Sequence, residues 1–419
     1  MLVEFRVSNF RSLRHEQVLS LVASKDKTLQ DTHTLSTGLK AAPSLLRSVV
    51  IYGANASGKS NLIKALQYMR GVVVESATVV QPGQTYSVQP FRLNTESAKG
   101  PAEFEITFIL DGVRYQYGFA MTSQRIISEH LLVYKAFKPQ RWFERHFDAE
   151  ADKDIYDFGP GLKGPKNLWE GATRANALFL SMAVQLNSEA LRPVFNWIVN
   201  GLVIFNELAP LNQQVSIQQL QQTEGRKQIC EFLTAADISI ADIEVITRKV
   251  RGQAVHFDLA AGKTEVRSEE VEEHQLKFSH VTEQGNAVFD LMDESNGTRN
   301  LLFLTGPVLD ILSRGQTLVI DELDTSLHTL LVRELVQLFH RLGANAQLIF
   351  TTHDTSLLDA PDLFRRDQVW FVEKDRDQAS SLVSLSEFSP RKNEALERGY
   401  LMGRYGGVPF LSHTLGAKP

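Results

Sequence analysis

Gly53-Ala54-Asn55-Ala56-Ser57-Gly58-Lys59-Ser60 has the spacing G-x-x-x-x-G-K-S. That spacing suits the wrapping of phosphate groups. The glycines let backbone N–H groups approach phosphate oxygens closely, and a helix that starts here turns its positive end toward the same anion. Lys59 is placed to neutralise β- and γ-phosphate charge and so to act in catalysis, and the Ser60 hydroxyl to ligate Mg²⁺. Asn55, Ala56 and Ser57, with Asn61 on the first helical turn, complete the expected phosphate-binding set.

Three further segments offer matching chemistry. Thr317-Leu318-Val319-Ile320 runs into Asp321-Glu322. Asp321 would hold Mg²⁺ through water, and Glu322 would act as general base on an attacking water. Gln347-Leu348-Ile349-Phe350-Thr351-Thr352 runs into His353, which could hydrogen-bond a γ-phosphate or that water. Ligands of open α/β sheets bind beyond the carboxyl ends of the strands, which is where these polar groups fall. In Glu294-Ser295-Asn296-Gly297-Thr298-Arg299, Ser295 or Asn296 can cap a following helix. Gly297 and Thr298 would then lie at an anion-accepting N-terminus. By itself this stretch also reads as an ordinary capping turn.

The elements that must position these groups are legible nearby. Ser48-Val49-Val50-Ile51-Tyr52 is apolar and β-branched, as a fully buried strand should be. Leu62, Ile63, Ala65, Leu66 and Met69 have helical spacing. Residues 86–147 alternate apolar and polar, with a hairpin signal at Asp111-Gly112, which predicts an antiparallel sheet. Tyr134 to His146 mixes bases with aromatics, as single-strand binders do. Its alternation fits better a hairpin turning at Lys138-Pro139-Gln140, aromatic side inward. Gly159 to Pro165 predicts a loop, residues 172–245 helices with a Gln-rich stretch at Gln213–Gln222, and Val255–Leu259 and Leu276–Val281 strands. A strand, helix and strand follow at Thr317–Ile320, Leu330–Leu342 and Gln347–Phe350. Gln368–Val372 predicts a last core strand.

The 419 residues include 43% apolar and 22% charged side chains, an ordinary globular balance that excludes a disordered or collagen-like chain. A net charge of −5 argues against a uniformly basic nucleic-acid binder. One cysteine, Cys230, excludes an internal disulfide and any multi-cysteine zinc site. With no signal peptide or membrane-length apolar run in view, a soluble cytoplasmic protein is expected.

These motifs, in this order, resemble the ABC-type ATPases of the SMC, RecF and OLD-nuclease group. Within it they look like the AAA branch of bacterial anti-phage systems, of which the PARIS ATPase subunit is a member type. Val7-Ser8-Asn9-Phe10-Arg11-Ser12 resembles the N-terminal strand-turn of that group, and Gly399 to Pro409 the ending of the branch. The resemblance implies an α/β fold: a P-loop NTPase core of ABC ATPase type, with a flanking antiparallel sheet and a helical insertion. It divides the chain into an N-terminal lobe at 1–170, a helical arm or lid at 171–250 and a C-terminal lobe at 251–419. It makes Ser295-Asn296-Gly297-Thr298 the signature, Leu323 to His328 the D-loop, and His353 the switch histidine. Gln89 and Gln84 compete as the Q-loop glutamine. No sustained heptad is present, so a long coiled coil is not expected.

The implied activity is hydrolysis of ATP with Mg²⁺, sandwiched between two copies of the chain in a homo-oligomer, with sensing or signalling in phage defence as the role. The segment after His353 looks too short for a nuclease domain, so a separate effector such as a nuclease is the expected partner. Asp375 and Asp377 sit in a charged turn with no metal-site context. The alternative is a RecF-like DNA-repair ATPase that clamps DNA, and DNA stays possible as a partner.

Overall fold

The computed structural model describes residues 1–136, 138–205, 213–258, 263–325, 327–388 and 395–407, and the side chains of all of these except 251–269 and 271. Phe137, Leu259, Ser326, Val408 and Pro409, which fall in segments read above, lie outside the described residues. The chain forms two compact units, Met1–Glu207 with Leu312–Pro419, and Leu208–Ile311.

The first unit is built on a six-stranded sheet. Its order is Leu202–Phe205, Thr317–Ile320, Gln347–Thr351, Ser48–Gly53, Val369–Lys374 and Ser380–Ser384. The first five strands are parallel and the last is antiparallel. Every residue of Ser48–Gly53, Thr317–Ile320 and Gln347–Thr351 is buried. Strands covered on both faces read as unbroken apolar runs, which is why these three were legible. Helix Lys59–Glu75 follows the phosphate-binding loop and buries Leu62, Ile63, Ala65, Leu66, Met69, Val72 and Val73 on one stripe. The fold is mixed α/β with a P-loop core.

A seven-stranded antiparallel sheet belongs to the same unit, in the order Lys153–Phe158, Gln140–Asp148, Ile126–Tyr134, Val113–Met121, Ala102–Leu110, Leu2–Ser8 and Gln17–Ser20. The turn at Asp111-Gly112 has φ of 50° and 72°, the paired left-handed residues that a tight hairpin of this twist requires. Gln347 joins the two sheets: its carbonyl accepts from Leu2 N at 2.6 Å, and its amide donates to the Leu2 and Leu46 carbonyls. In the 126–148 hairpin, Trp142 and Phe143 are buried while Arg141 and Lys138 are exposed. Trp142 and Phe143 therefore serve the core, and the hairpin forms.

The expected helical arm at 171–250 does not form as one piece. Helices Phe179–Gln185 and Arg192–Asn200 belong to the first unit, because fully buried Glu129 of the antiparallel sheet accepts Phe179 N at 2.6 Å and Leu180 N at 2.9 Å. The second unit starts with helices Gln213–Gln221, which takes up the Gln-rich stretch, and Thr223–Ala235. A long antiparallel ribbon follows, Asp242–Asp258 against Lys263–Thr282, with Gly285–Asp290 as its third strand. Ile243, Val245 and Thr247 recur with period two, the pattern of a strand and not of a helix. Helix Asn296–Arg314 begins in this unit. Among the described residues no helix is long and apolar enough to cross a membrane.

A buried histidine pair gives the first unit a pH dependence. His33 and His340 stack with ring centroids 3.8 Å apart. His33 Nε2 meets the Leu363 carbonyl, and His340 Nε2 meets Ser48 Oγ at 2.9 Å. Gln368 donates to Ser48 Oγ, which leaves the Ser48 proton available to a neutral His340. Burial, with His33 and Arg47 adding like charge, lowers His340 to about 3, and burial lowers His33 as well. Both residues charge more readily in the unfolded chain, so their share of stability is full above about pH 6.5 and is lost as pH falls below it, for His340 down to about 3. The slope is about 1.4 kcal/mol per pH unit for each residue that stays neutral in the fold. His340→Gln keeps an acceptor for Ser48. Denaturant titrations at pH 7, 6 and 5 should show a flatter pH profile for this variant than for the wild type; parallel profiles would refute the account.

Candidate functional site

The phosphate-binding loop leaves its strand at Gly53, where there is no room for a side chain. A Cβ there would lie 2.5 Å from the Val372 carbonyl and 2.6 Å from Ser57 Oγ. Ala56 turns the loop at φ 61°. Gly58, at φ 114°, precedes the helix and fits against Ser380 Oγ and Ser12 Oγ. Asn55 and Ala56 are exposed, Ser57 and Gly58 buried, and Ser60, second residue of the helix, half-buried. Ser57 Oγ is buried without a hydrogen-bond partner.

Two residues brace the loop that the sequence did not single out for this role. Ser380 Oγ donates to the Ser57 carbonyl at 2.5 Å, and Ser380 N donates to the Ser12 carbonyl at 2.7 Å. Asn61, expected in the phosphate set, spends its amide on Ser12 Oγ at 2.7 Å and so belongs to this brace. Arg11 N donates to the Gln89 carbonyl at 2.7 Å, which brings Gln89 to the same N-terminal segment. Gln84 is exposed and held within a local turn by Gln81. Ser12 lies in a motif visible in sequence, whereas Ser380 arrives through strand pairing and leaves no local signal.

Lys59 is 5% exposed, and its ammonium donates to the carbonyls of Gly53 at 2.6 Å and Ala54 at 3.2 Å. Burial lowers it to about 8, while Glu322, Asp321 and Asp324 pull it upward. The strand that leads to Asp321 and Glu322 lies two places from the loop's own strand in the same parallel sheet, with Gln347–Thr351 between them, which brings these acids to the edge that bears the loop. A phosphate anion would hold Lys59 protonated, so binding above pH 8 must take up a proton. Affinity for ATP should fall about twofold between pH 7 and 8 and about fivefold between 8 and 9. Binding isotherms at pH 7, 8 and 9 check this, and an unchanged affinity at pH 9 would refute it.

Asp321 and Glu322 end the strand Thr317–Ile320. Asp321 is 7% exposed and accepts from Thr351 Oγ1 at 2.7 Å. Glu322 has a left-handed φ of 52°, unusual for a residue with a side chain. Its N–H donates to Thr351 Oγ1 at 2.7 Å, and its carbonyl accepts from Thr325 Oγ1 at 2.8 Å. His353 N donates to Asp324 Oδ2 at 3.1 Å; the His353 side chain is exposed, and its ring has no hydrogen-bond partner among the described residues. Asp324 Oδ1 is buried without a partner. The ends of three neighbouring strands thus gather Lys59, Asp321, Glu322 and His353.

Ser295, Gly297 and Thr298 lie in the second unit. Ser295 Oγ accepts from Thr298 N at 3.0 Å, so the capping turn forms as read. A Cβ on Gly297 would meet nothing closer than Ser295 Oγ at 3.6 Å, so packing alone does not require glycine there.

Among the described residues after the core strand Val369–Lys374, no group of acids is placed to hold a metal ion. Asp375 is used in a turn, accepting from Ala379 N, and exposed Asp377 meets Arg14 at 3.5 Å. Helix Leu396–Leu401 and the turn to Gly407 pack on the core: Tyr400 stacks on Phe371 at 5.1 Å and lies 5.9 Å from Tyr52. A Cβ on Gly407 would sit 3.5 Å from the Gly53 Cα.

The chain is similar to the SMC head domain from Thermotoga maritima, with 13% identity and a TM-score of 0.43, over 91% of this chain and 98% of that one. An SMC head bound to the C-terminal winged-helix domain of ScpA matches with 15% identity and a TM-score of 0.44, over 91% and 97%. The Smc head domain with an extended coiled coil bound to the C-terminal domain of ScpA, derived from Pyrococcus furiosus, matches with 12% identity and a TM-score of 0.43, over 96% and 98%. No curated protein matches the chain. The family described as "AAA domain, putative AbiEii toxin, Type IV TA system" matches residues 48–359, a stretch that holds the loop, both acids and the histidine, and the chain belongs to that family.

Proposed function

We propose that the protein binds and hydrolyses ATP as an ABC-type ATPase. The observation that carries this is the placement of Lys59, Asp321 and Glu322 at the carboxyl edge of one parallel sheet, beside a loop of full phosphate-binding spacing. The residues fit the substrate and its cation. Ser57 Oγ and Asp324 Oδ1 are buried polar atoms in want of partners, and Lys59 holds only carbonyls that phosphate oxygens can outcompete. Ser60 and Asp321 would hold Mg²⁺, which would neutralise charge on the β- and γ-phosphates. Lys59 leaves the Gly53 and Ala54 carbonyls for the γ-phosphate, Glu322 takes the proton of the attacking water, and the exposed His353 ring orients that water or the phosphate. Release of phosphate from ATP by the purified protein tests the reading; a folded protein that neither binds ATP nor releases phosphate would overturn it.

In this reading ATP is enclosed between two copies, the signature of one reaching the nucleotide of the other. The open space around Gly297 supports this, since a residue without a packing reason for glycine has room for an approaching phosphate. Gly297→Asp would block that approach by bulk and charge. Mixing Lys59→Ala with Gly297→Asp subunits should restore turnover, because a mixed dimer has one composite site free of both lesions. Mixed dimers with no turnover would mean that the signature is misassigned or that the two sites hydrolyse only in concert. The output passes to a separate effector such as a nuclease, and phage defence is the role that the motif resemblance to the PARIS ATPase subunit supports.

A further inference from the structure

Thr351 ends the strand next to the one that bears the two acids, and it is fully buried. Its hydroxyl donates to Asp321 Oδ1 and accepts from Glu322 N, both at 2.7 Å. A backbone N–H can only donate, so the Thr351 proton must go to the Asp321 carboxylate, and the direction of both bonds is fixed. One bond orients the acid assigned to the cation. The other holds the backbone of the acid assigned to the water, at a residue whose left-handed φ needs support from its surroundings. We propose that Thr351 is the positioning residue of the Asp321–Glu322 pair, setting metal affinity through the first contact and the aim of the base through the second. This rests on the ATPase reading above.

Thr351→Val keeps the shape and removes both bonds; Thr351→Ser keeps both. Three quantities separate the outcomes: ATP affinity in EDTA, Mn²⁺ affinity of the complex with ATPγS by electron paramagnetic resonance, and turnover. Thr351→Val should leave metal-free ATP affinity within about threefold, weaken Mn²⁺ about tenfold and slow turnover about 10–100-fold, in line with the loss of a supporting contact to a metal ligand and of aim at a base. Thr351→Ser should stay within about threefold of wild type in all three. If Thr351→Val fails to fold, Thr351→Cys, with a weaker donor and acceptor, replaces it and should fall between wild type and the predicted valine values. Mn²⁺ affinity and turnover unchanged in the folded variant would overturn the proposal alone, as would a serine variant as impaired as valine. A wild-type protein that binds no ATP would overturn the ATPase reading and this proposal together.

Discussion

Lys59→Ala should lose at least about a hundredfold in ATP turnover, the scale set by removing a preorganised charge that stabilises a transition state. The argument is one of substitutes. Lys59 is the cation that the loop itself supplies, and the ionisable groups that act on it most strongly are acids, Glu322, Asp321 and Asp324. Without Lys59, phosphate charge would face those carboxylates uncompensated on that side. Binding should weaken along with turnover, because the ammonium meets phosphate in the ground state as well as the transition state. The truncation also frees the Gly53 and Ala54 carbonyls, a local cost of about 1–3 kcal/mol if they stay unpaired, so a melting curve must accompany the assay. Near wild-type turnover in folded Lys59→Ala protein would remove the loop from the active site.

Glu322→Gln should separate binding from chemistry. The amide is close in size, tolerates the same backbone, and can still orient water, but it cannot accept a proton. Turnover should fall about 10²–10⁴-fold with ATP affinity nearly intact. The variant should then collect in the ATP-bound state, and if ATP is enclosed between two copies, its size in solution should rise with ATP and not with ADP. Light scattering with each nucleotide reads this directly. A size indifferent to ATP would sink the two-copy arrangement and leave the ATPase standing.

The parts of this site that were legible in sequence are those made by local pattern. Ser48–Tyr52, Thr317–Ile320 and Gln347–Phe350 are short apolar runs ending in polar residues, and a doubly covered parallel strand imposes that pattern whatever its neighbours are. What escaped is what depends on pairing between distant segments. Ser380 braces Ser57 because an antiparallel edge strand delivers it, and no spacing announces that. Asn61 follows the loop as a phosphate ligand would, yet Ser12 claims its amide. Thr351 was in plain view at a strand end, but its double contact depends on the register of two parallel strands. The 171–250 region was misread as one helical arm because its helices are followed by a ribbon whose strand period begins only near Ile243.

The Ser57–Ser380 contact spans 323 residues of sequence, and Ser12 closes the same brace from the other side. The loop therefore cannot be held in its final shape while the chain is still short. At roughly 5–20 residues per second, synthesis needs on the order of 15 seconds to a minute to travel from Ser57 to Ser380. During that interval the phosphate-binding sequence exists without its brace, and the strands that lead to Asp321 and His353 are added only in its later part. A nascent chain halted before Ser380 lacks this contact, and it should hold ATP less tightly than the full chain.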